Sequence, residues 1–389
     1  MSEKVKLGDV CKVQGGYAFK SKQFQKNKIP IVRIGNIQDN QVEIDYSVCY
    51  TEEFLNMHPE FEIQDGDILI AMSGATVGKI GKYKNDKKAL LNQRVGNFIT
   101  TEKLEKGYLY FLLQSPLFEK YILNNAFGCA QPNISSKKIE EFEFYLYDNK
   151  EQMEITNQLD KIQKIVDIRK KQIEQFNELI KSQFVEMFGD IKLNDKRWSS
   201  VDKIGNVCIL NPKKSEIDGV ADIEVSFIPM QNVSEKGDIN TSEIRQLSEV
   251  KKGFTYFREN DVLFAKITPC MENGKGAVAK GLKNNIGFGS TEFHVIRPTN
   301  KVNSVWIYTY TTFKSFRKEA ERKMTGSAGQ KRVPIRFFEN YEIAIPPIEL
   351  QNKFAEFVKR IDKQKFEIQK NLEEIQKLQE SLMNKYFGG

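Results

Sequence analysis

Two stretches of the chain place apolar residues at alternating four- and three-residue steps. In the first, Ile155, Leu159, Ile162, Val166, Ile173, Phe176 and Ile180 keep that spacing, with Arg169, Gln183 and Met187 filling its remaining steps. In the second it returns 199 residues later as Phe354, Val358, Ile361, Ile368, Leu372, Ile375 and Leu382, with Lys365, Gln379 and Tyr386 between and after them. A seam held over more than four heptads, with charge on the outer faces, predicts two long helices of coiled-coil type, over 151–189 and 347–389. Asp148 followed by Glu151 reads as a capping box for the first. Pro346-Pro347 pre-sets the start of the second, and Gly189 and Gly388 stand where helix-ending glycines belong.

The rest of the chain alternates β-branched and aromatic runs with Gly and Asn turns, and includes helical stretches at Tyr108 to Leu123 and Trp306 to Met324. It also repeats itself. Lys6-Leu7-Gly8-Asp9-Val10-Cys11 returns as Lys203-Ile204-Gly205-Asn206-Val207-Cys208, and Ile34-Gly35-Asn36-Ile37 as Met230-Gln231-Asn232-Val233. Gly66-Asp67-Ile68-Leu69-Ile70-Ala71 returns as Asn260-Asp261-Val262-Leu263-Phe264-Ala265, and Gly128-Cys129-Ala130-Gln131 more loosely as Gly326-Ser327-Ala328-Gly329-Gln330. A globule-plus-helix unit has been duplicated. The expected fold class is α+β: two mixed α/β domains, 1–150 and 190–346, related by pseudo-twofold symmetry and separated by a two-helix antiparallel coiled coil. A coiled coil between two chains is the alternative way to bury the seams.

Composition sets limits on function. With 40% hydrophobic and 29% charged residues the chain reads as an ordinary globular protein. No apolar run reaches membrane-span length and the first residues lack a secretory h-region, so a cytoplasmic protein is expected. Five scattered cysteines and two histidines, with no C-x-x-C pair, predict reduced thiols and no metal site. The net charge of +7 permits nucleic-acid binding without demanding it. Gly74-Ala75-Thr76-Val77-Gly78-Lys79-Ile80 lacks the spacing and the hydroxyl of a phosphate-binding P-loop. Asn211-Pro212 is followed by lysines, not by the aromatic residue an amino-methyltransferase uses on a flipped base. Asp67 and Asp261, equivalent by repeat, read as turn residues, and no catalytic constellation is expected.

Length then suggests a use. A helix of about 35 residues spans roughly 50 Å, and two different domains held that far apart would meet a duplex about 15 base pairs apart. Reading both sites from one chain implies a bipartite, asymmetric target. Arg and Lys suit guanine, and Asn and Gln suit adenine, so polar residues in strand-flanking loops are the candidates for DNA contact. In the first domain these are Arg33, Asn36, Lys79, Gln93, Arg94, Gln131 and Asn133. In the second they are Gln231, Asn232, Lys266, Lys275, Gln330, Lys331 and Arg332, with Lys331-Arg332 the leading choice.

The plan of domain, long helix, domain, long helix resembles the specificity subunit of type I restriction-modification enzymes. The phrases that carry the likeness are Gly66-Asp67-Ile68-Leu69-Ile70, Gly74-Ala75-Thr76-Val77-Gly78-Lys79, Gln131-Pro132-Asn133-Ile134-Ser135 and Ile345-Pro346-Pro347-Ile348-Glu349-Leu350-Gln351. The first domain departs from the pattern with Tyr147-Asp148-Asn149 in place of the proline pair, and the second with Gly329-Gln330-Lys331-Arg332 in place of Gln-Pro-Asn. The resemblance implies two target-recognition domains and a non-catalytic subunit of a DNA methyltransferase/endonuclease complex. It also implies a helix pair that docks two modification (methyltransferase) subunits, with restriction (motor and nuclease) subunits beyond them. S-adenosylmethionine, ATP and Mg²⁺ would belong to those partners, and this chain would carry no cofactor. A coiled-coil scaffold without DNA specificity is the competing expectation.

Overall fold

The computed structural model describes residues 3–126, 132–327 and 329–388, and they form two compact units, Met1–Arg169 with Asn371–Gly389 and Lys170–Lys370. Each unit contains one α/β domain and half of each long helix. The two helices are Asn149–Phe188 and Ile348–Phe387, forty residues each.

In the first unit, strand Glu3–Lys6 pairs antiparallel with Glu143–Leu146 and closes the domain beside the helix start. One sheet runs in the order Cys11–Gly15, Val95–Thr100, Ile68–Ala71, Ile80–Lys82, and is extended by a hairpin of Asn40–Val42 and Ile37–Gln38. A second sheet runs Cys49–Tyr50, Ile29–Val32, Ala89–Leu91, Glu62–Ile63, with its two central strands parallel. The second unit repeats this order strand for strand without the hairpin. Val201–Lys203 pairs with Glu342–Ala344. One sheet is Cys208–Leu210, Phe293–Pro298, Val262–Ala265, Gly276–Val278, and the other is Ile244–Gln246, Glu224–Ile228, Ile286–Gly289, Thr255–Arg258, again with a parallel central pair. The duplicated phrases thus mark equivalent strands. In the second unit's parallel pair Gly289 leaves no room for a side chain: a Cβ there would lie 2.2 Å from the Ile228 carbonyl oxygen.

The long helices are built into the domain cores. Ile155, Leu159 and Phe387 pack with Leu7, Phe98, Tyr108 and Phe142 in the first unit, and Phe184, Phe188, Phe354 and Val358 pack with Phe264, Trp306 and Phe338 in the second. Within the first unit the Gln379 amide donates to Gln163 (2.8 Å) and the Tyr386 hydroxyl to Gln158 (2.9 Å), so rising numbers on one helix meet falling numbers on the other. Within the second unit Phe184 and Phe188 meet Phe354. The pairing is antiparallel and within one chain.

The predicted seam is covered throughout. Ile155, Leu159, Val166, Phe354, Val358, Ile361 and Leu372 are buried, and Ile162, Ile173, Phe176, Ile180, Ile368, Ile375 and Leu382 half-buried. Near the helix ends the phase moves by one residue. Phe184, Phe188 and Phe387 are fully covered where the heptad count points to Gln183, Met187 and Tyr386, which are only half-buried. An α-helix turns every 3.6 residues, so it drifts from a strict 3.5 repeat by about 20° per heptad, and here the drift is taken up by large rings entering the domain cores.

The helix ends follow the expected chemistry. Asp148 accepts a hydrogen bond from the Glu151 N–H at 2.8 Å, and Gly189 caps the first helix at φ +70°. A device not anticipated from the sequence is a buried glutamine at each helix base. Gln152 accepts from Glu105 N–H and donates to the Lys103 and Tyr147 carbonyls. Gln351, 199 residues on, accepts from Asn303 N–H and donates to the Lys301 and Pro346 carbonyls. Each pins the base of its long helix to the loop that leads into an earlier helix of the same domain, Lys106–Leu112 or Ser304–Thr311.

The two shorter helical stretches are each broken, which corrects the continuous runs expected at Tyr108 to Leu123 and Trp306 to Met324. The first is Lys106–Leu112 and Pro116–Ala126, since a residue before proline avoids the helical region. The second is Ser304–Thr311 and Lys314–Arg322, where Thr309, Thr311 and Thr312 bond back to the carbonyls of Val305, Tyr308 and Thr309 at the helix end. Cys11 and Cys208 occupy equivalent buried positions, and burial pushes both thiols up to about 12. Cys49 is also buried and Cys270 half-buried, while Cys129 lies outside the described residues.

Candidate nucleic-acid interface

Four loops gather at one end of the paired sheets in each domain. In the first domain they follow strands Ile29–Val32, Ile68–Ala71 and Ala89–Leu91, and the fourth is the segment at 132–134. Asn92 N–H donates to Val32 O (3.3 Å), Met72 N–H to Arg94 O (2.9 Å), Gly74 N–H to Pro132 O (2.9 Å) and Ile134 N–H to Met72 O (2.9 Å). The side chain of Ile34 lies against Gly74. These contacts bring Arg33, Asn36, Lys79, Gln93, Arg94 and Asn133 onto one cluster of loops; Gln131 falls outside the described residues.

The second domain rebuilds the same network with different side chains. Ser290 N–H donates to Ile228 O (3.2 Å), Lys266 N–H to Glu292 O (2.9 Å), Thr268 N–H to Lys331 O (3.0 Å) and Val333 N–H to Lys266 O (2.9 Å). Lys275 reaches the Met230 carbonyl at 3.4 Å, beside Gln231 and Asn232. Gln231, Asn232, Lys266, Lys275, Gln330, Lys331 and Arg332 therefore also share one loop cluster. At matching backbone positions Met72 becomes Lys266, Arg94 becomes Glu292 and Asn133 becomes Arg332. The scaffold is conserved between the copies and the chemistry is not.

Several candidates already have partners inside their domain. Asn36 accepts from Arg33 N–H at 2.8 Å, which makes it a turn residue, and Arg33 leans on Asp45 at 3.4 Å. Asp45 is held below the usual carboxylate range chiefly by its hydrogen bonds from Ser47. Arg332 is held side-on by Glu292, through Nε (2.9 Å) and Nη2 (2.9 Å), and by the Gln330 carbonyl through Nη1 (3.2 Å). Of its five N–H groups one on each Nη stays open to a further acceptor. The same pairing lowers the Glu292 carboxyl below its ordinary value. Lys79, Gln93, Arg94, Asn133, Gln231, Gln330 and Lys331 are exposed. Lys266 is half-buried, and burial lowers its ammonium below the usual lysine value.

Sequence reasoning did not pick out Glu292, Ser73 or Thr76. Aligning Ile286–Gly289 with Ala89–Leu91 is the signal that exposes Glu292 as the counterpart of Arg94. Arg33 Nε, Ser73 Oγ and Thr76 Oγ1 are covered from solvent with no hydrogen-bond partner among the described residues, all on two touching loops of the first domain. Orphaned buried polar atoms are scarce in proteins, and these three meet on the two loops that carry the candidates. Behind the loops, Asp67 and Asp261 do more than make turns. Asp67 binds Gln64 N–H, Asn97 and Lys106, and Asp261 binds Arg258 N–H and the Arg297 guanidinium through two bonds of 2.7 Å. Burial disfavours the Arg297 charge, but the bonds from Asp261 and Glu216 outweigh it and hold this arginine above its usual range.

Residues 2–178 and 196–379 match the family model of the type I restriction modification DNA specificity domain, once for each copy of the repeat. The chain belongs to that family. Among specificity subunits of this kind, the type I restriction enzyme EcoAI specificity subunit of Escherichia coli is 40% identical over 192 residues, covering 48% of this chain and 32% of that protein. The EcoEI specificity subunit of the same species is 44% identical over 146 residues, covering 37% and 24%. The matches thus span about a third or less of these curated relatives. The crystal structure of a type I restriction-modification S subunit from M. genitalium shares the fold over 100% of this chain and 96% of its own, with a TM-score of 0.55 at 13% identity. Among the described residues no helix is long and apolar enough to cross a membrane, and no group of metal-ligating side chains comes together.

His294 lies just beneath the second domain's loop cluster and gives the stability of that domain a pH dependence. Its Nε2 donates to the Val333 carbonyl at 2.7 Å, its Nδ1 faces the Asn211 amide at 3.4 Å, and it is 5% exposed. Burial depresses it to about 4, the nearby Lys266 adding to the effect and Glu292 opposing it. Because the folded form resists protonation, this contribution is complete above about pH 6.5 and is lost as pH falls towards 4, by about 3 kcal/mol at most. Both tryptophans, Trp198 and Trp306, lie in the second unit, so urea unfolding followed by their fluorescence reads this domain. The midpoint is expected to fall between pH 7 and pH 5, and the fall to shrink in His294→Asn.

Proposed function

We propose that this chain selects the DNA sequence for a type I restriction-modification complex, each domain reading one half of a bipartite, asymmetric target through its loop cluster. The observation that carries this reading is the pair of identical loop networks bearing different polar side chains. Two copies of one reader that differ at the surface and agree beneath it are suited to two different half-sites. In this reading the chain catalyses nothing itself, works in the cytoplasm and binds double-stranded DNA. Two modification subunits dock on its helix pair, restriction subunits complete the complex, and S-adenosylmethionine, ATP and Mg²⁺ are held by those partners. Forty-residue helices rise about 60 Å at 1.5 Å per residue, long enough to set the unread gap between half-sites.

The test is selection of binding duplexes from a random library by the chain co-purified with its modification subunits. One split motif is expected, and enrichment of none would remove the reading. Arg332→Ala is expected to weaken binding by about 1–3 kcal/mol and to relax one position of one half-site. Unaltered affinity together with an unaltered motif would exclude Arg332 as a base reader.

A further inference from the structure

The segment joining the first two core strands of the first domain, residues 16–28, carries Lys20, Lys22, Lys26 and Lys28 with no acidic residue among them. All four are exposed, and none has an ion pair or a side-chain hydrogen bond among the described residues. The segment is nevertheless firmly built. Phe19 and Phe24 sink into an aromatic and aliphatic cluster with Ile31, Tyr50, Phe54 and Leu90. Residues Ser21–Gln23 form a single tight turn, Gln25 pairs with Cys49, and Asn27 takes a positive φ of 57° while its N–H meets the Tyr46 carbonyl. Rings anchor it to the core, and its four lysines stay exposed.

Its position ties it to the interface. Tyr17, at its start, donates its N–H to Leu91 O (2.8 Å) and accepts from Gln93 N–H (2.9 Å), so the segment leaves directly from one of the four loops. The equivalent connection in the second domain, between Cys208–Leu210 and Glu224–Ile228, reads Lys213-Lys214-Ser215-Glu216-Ile217-Asp218 and ends near Asp222. There the charges are mixed and mostly engaged internally: Glu216 pairs with Arg297, Asp218 with Lys251, and Lys214 donates to the Lys251 carbonyl, leaving Lys213 exposed. The same place in one fold carries four unpaired lysines in one copy and a mixed, mostly paired set of charges in the other.

We propose that the Lys20–Lys28 segment is a phosphate-binding ridge that grips the DNA backbone beside the half-site read by the first domain, with no counterpart at the equivalent segment of the second. This rests on the DNA-reading role above, and the experiment separates the two. Lysines on flexible stems meet phosphates as point charges and carry no sequence information, so the ridge adds affinity and register while leaving base choice to the loops. A fixed backbone costs less ordering on binding than a disordered basic arm.

The test measures binding of the full chain, co-purified with its modification subunits, to a random-sequence duplex and to a duplex carrying its selected motif, across a salt series. The wild type is compared with K20Q/K22Q/K26Q/K28Q and with the charge-keeping K20R/K22R/K26R/K28R. Each lysine that meets a phosphate contributes about 0.9 to the slope of log K against log salt, so the glutamine variant should lose about 2–3.5 from that slope on both duplexes. The motif-to-random ratio should hold and the arginine variant should restore the slope. An unchanged slope, or a lost ratio with the slope intact, would overturn the ridge. A wild type that shows no preference for any motif would defeat the sequence-reading role, while the slope on random duplex would still decide the ridge.

Discussion

Cutting Phe354 back to alanine is expected to destabilise the second domain by about 3–5 kcal/mol, enough to unfold much of it in a marginally stable protein. Phe354 is fully buried near the start of the second long helix, with its ring edge-on to Phe184 and Phe188 of the first at 5.5 Å each. Phe184 in turn stacks on Trp306 at 6.0 Å. One ring therefore joins both helices to the domain core, and no neighbour can collapse into the space it leaves without giving up its own contacts. Tryptophan fluorescence during urea unfolding reads the loss directly, since Trp306 lines the same cluster. Phe354→Leu, which keeps most of the volume, should lose much less. Equal losses for the two variants would mean that the cluster is not the joint described here.

The second large effect concerns the helices as a spacer. Seven residues added to each helix, in matching positions of the antiparallel pair, preserve the seam and add about 10 Å. At 3.4 Å per base pair the unread gap should widen by about three base pairs, with both half-sites unchanged. The original motif would no longer be recognised at all, so the change is a switch and not a gradient. It is read by selection of duplexes or by mapping methylated adenines. A gap of unchanged length would show that the helices do not set it.

How much was legible in the sequence follows from which signals are local. The seam from Ile155 to Leu382 and the duplicated strand phrases are periodic, and periodic patterns survive without knowledge of the fold. The break at Ser115-Pro116 was equally local, and only the apolar run through Leu112 and Leu113 disguised it. The one-residue change of phase at Phe184 and Phe188 was not local. It depends on where a 3.6-residue helix meets a domain whose shape comes from distant strands. The polar residues divide the same way. That the loops after equivalent strands carry the candidates could be read from the repeat. That Asn36 is spent on Arg33 N–H, or that Glu292 turns Arg332 side-on, depends on contacts across 40 or more residues for the second and on backbone geometry for the first. The buried glutamines Gln152 and Gln351 escaped notice because a glutamine near a helix start looks solvated until the loop that covers it is in place.

The interface loops also explain why the charge total was a poor guide. Many of the cations are committed: Arg297 to Asp261 and Glu216, Arg258 to Glu216, Lys106 to Asp67. What stays uncommitted is a selected subset, the exposed lysines and amides of the loop clusters and of the 20–28 segment. Net charge sums both populations and separates neither.

The most direct measurement of the central claim, that this chain chooses the sequence, is a genome-wide map of methylated adenine in cells with and without it. One split, asymmetric motif is expected to lose its methylation when the chain is removed and to regain it when the chain is restored. An identical methylation map in both cells, with the modification subunits present, would contradict it.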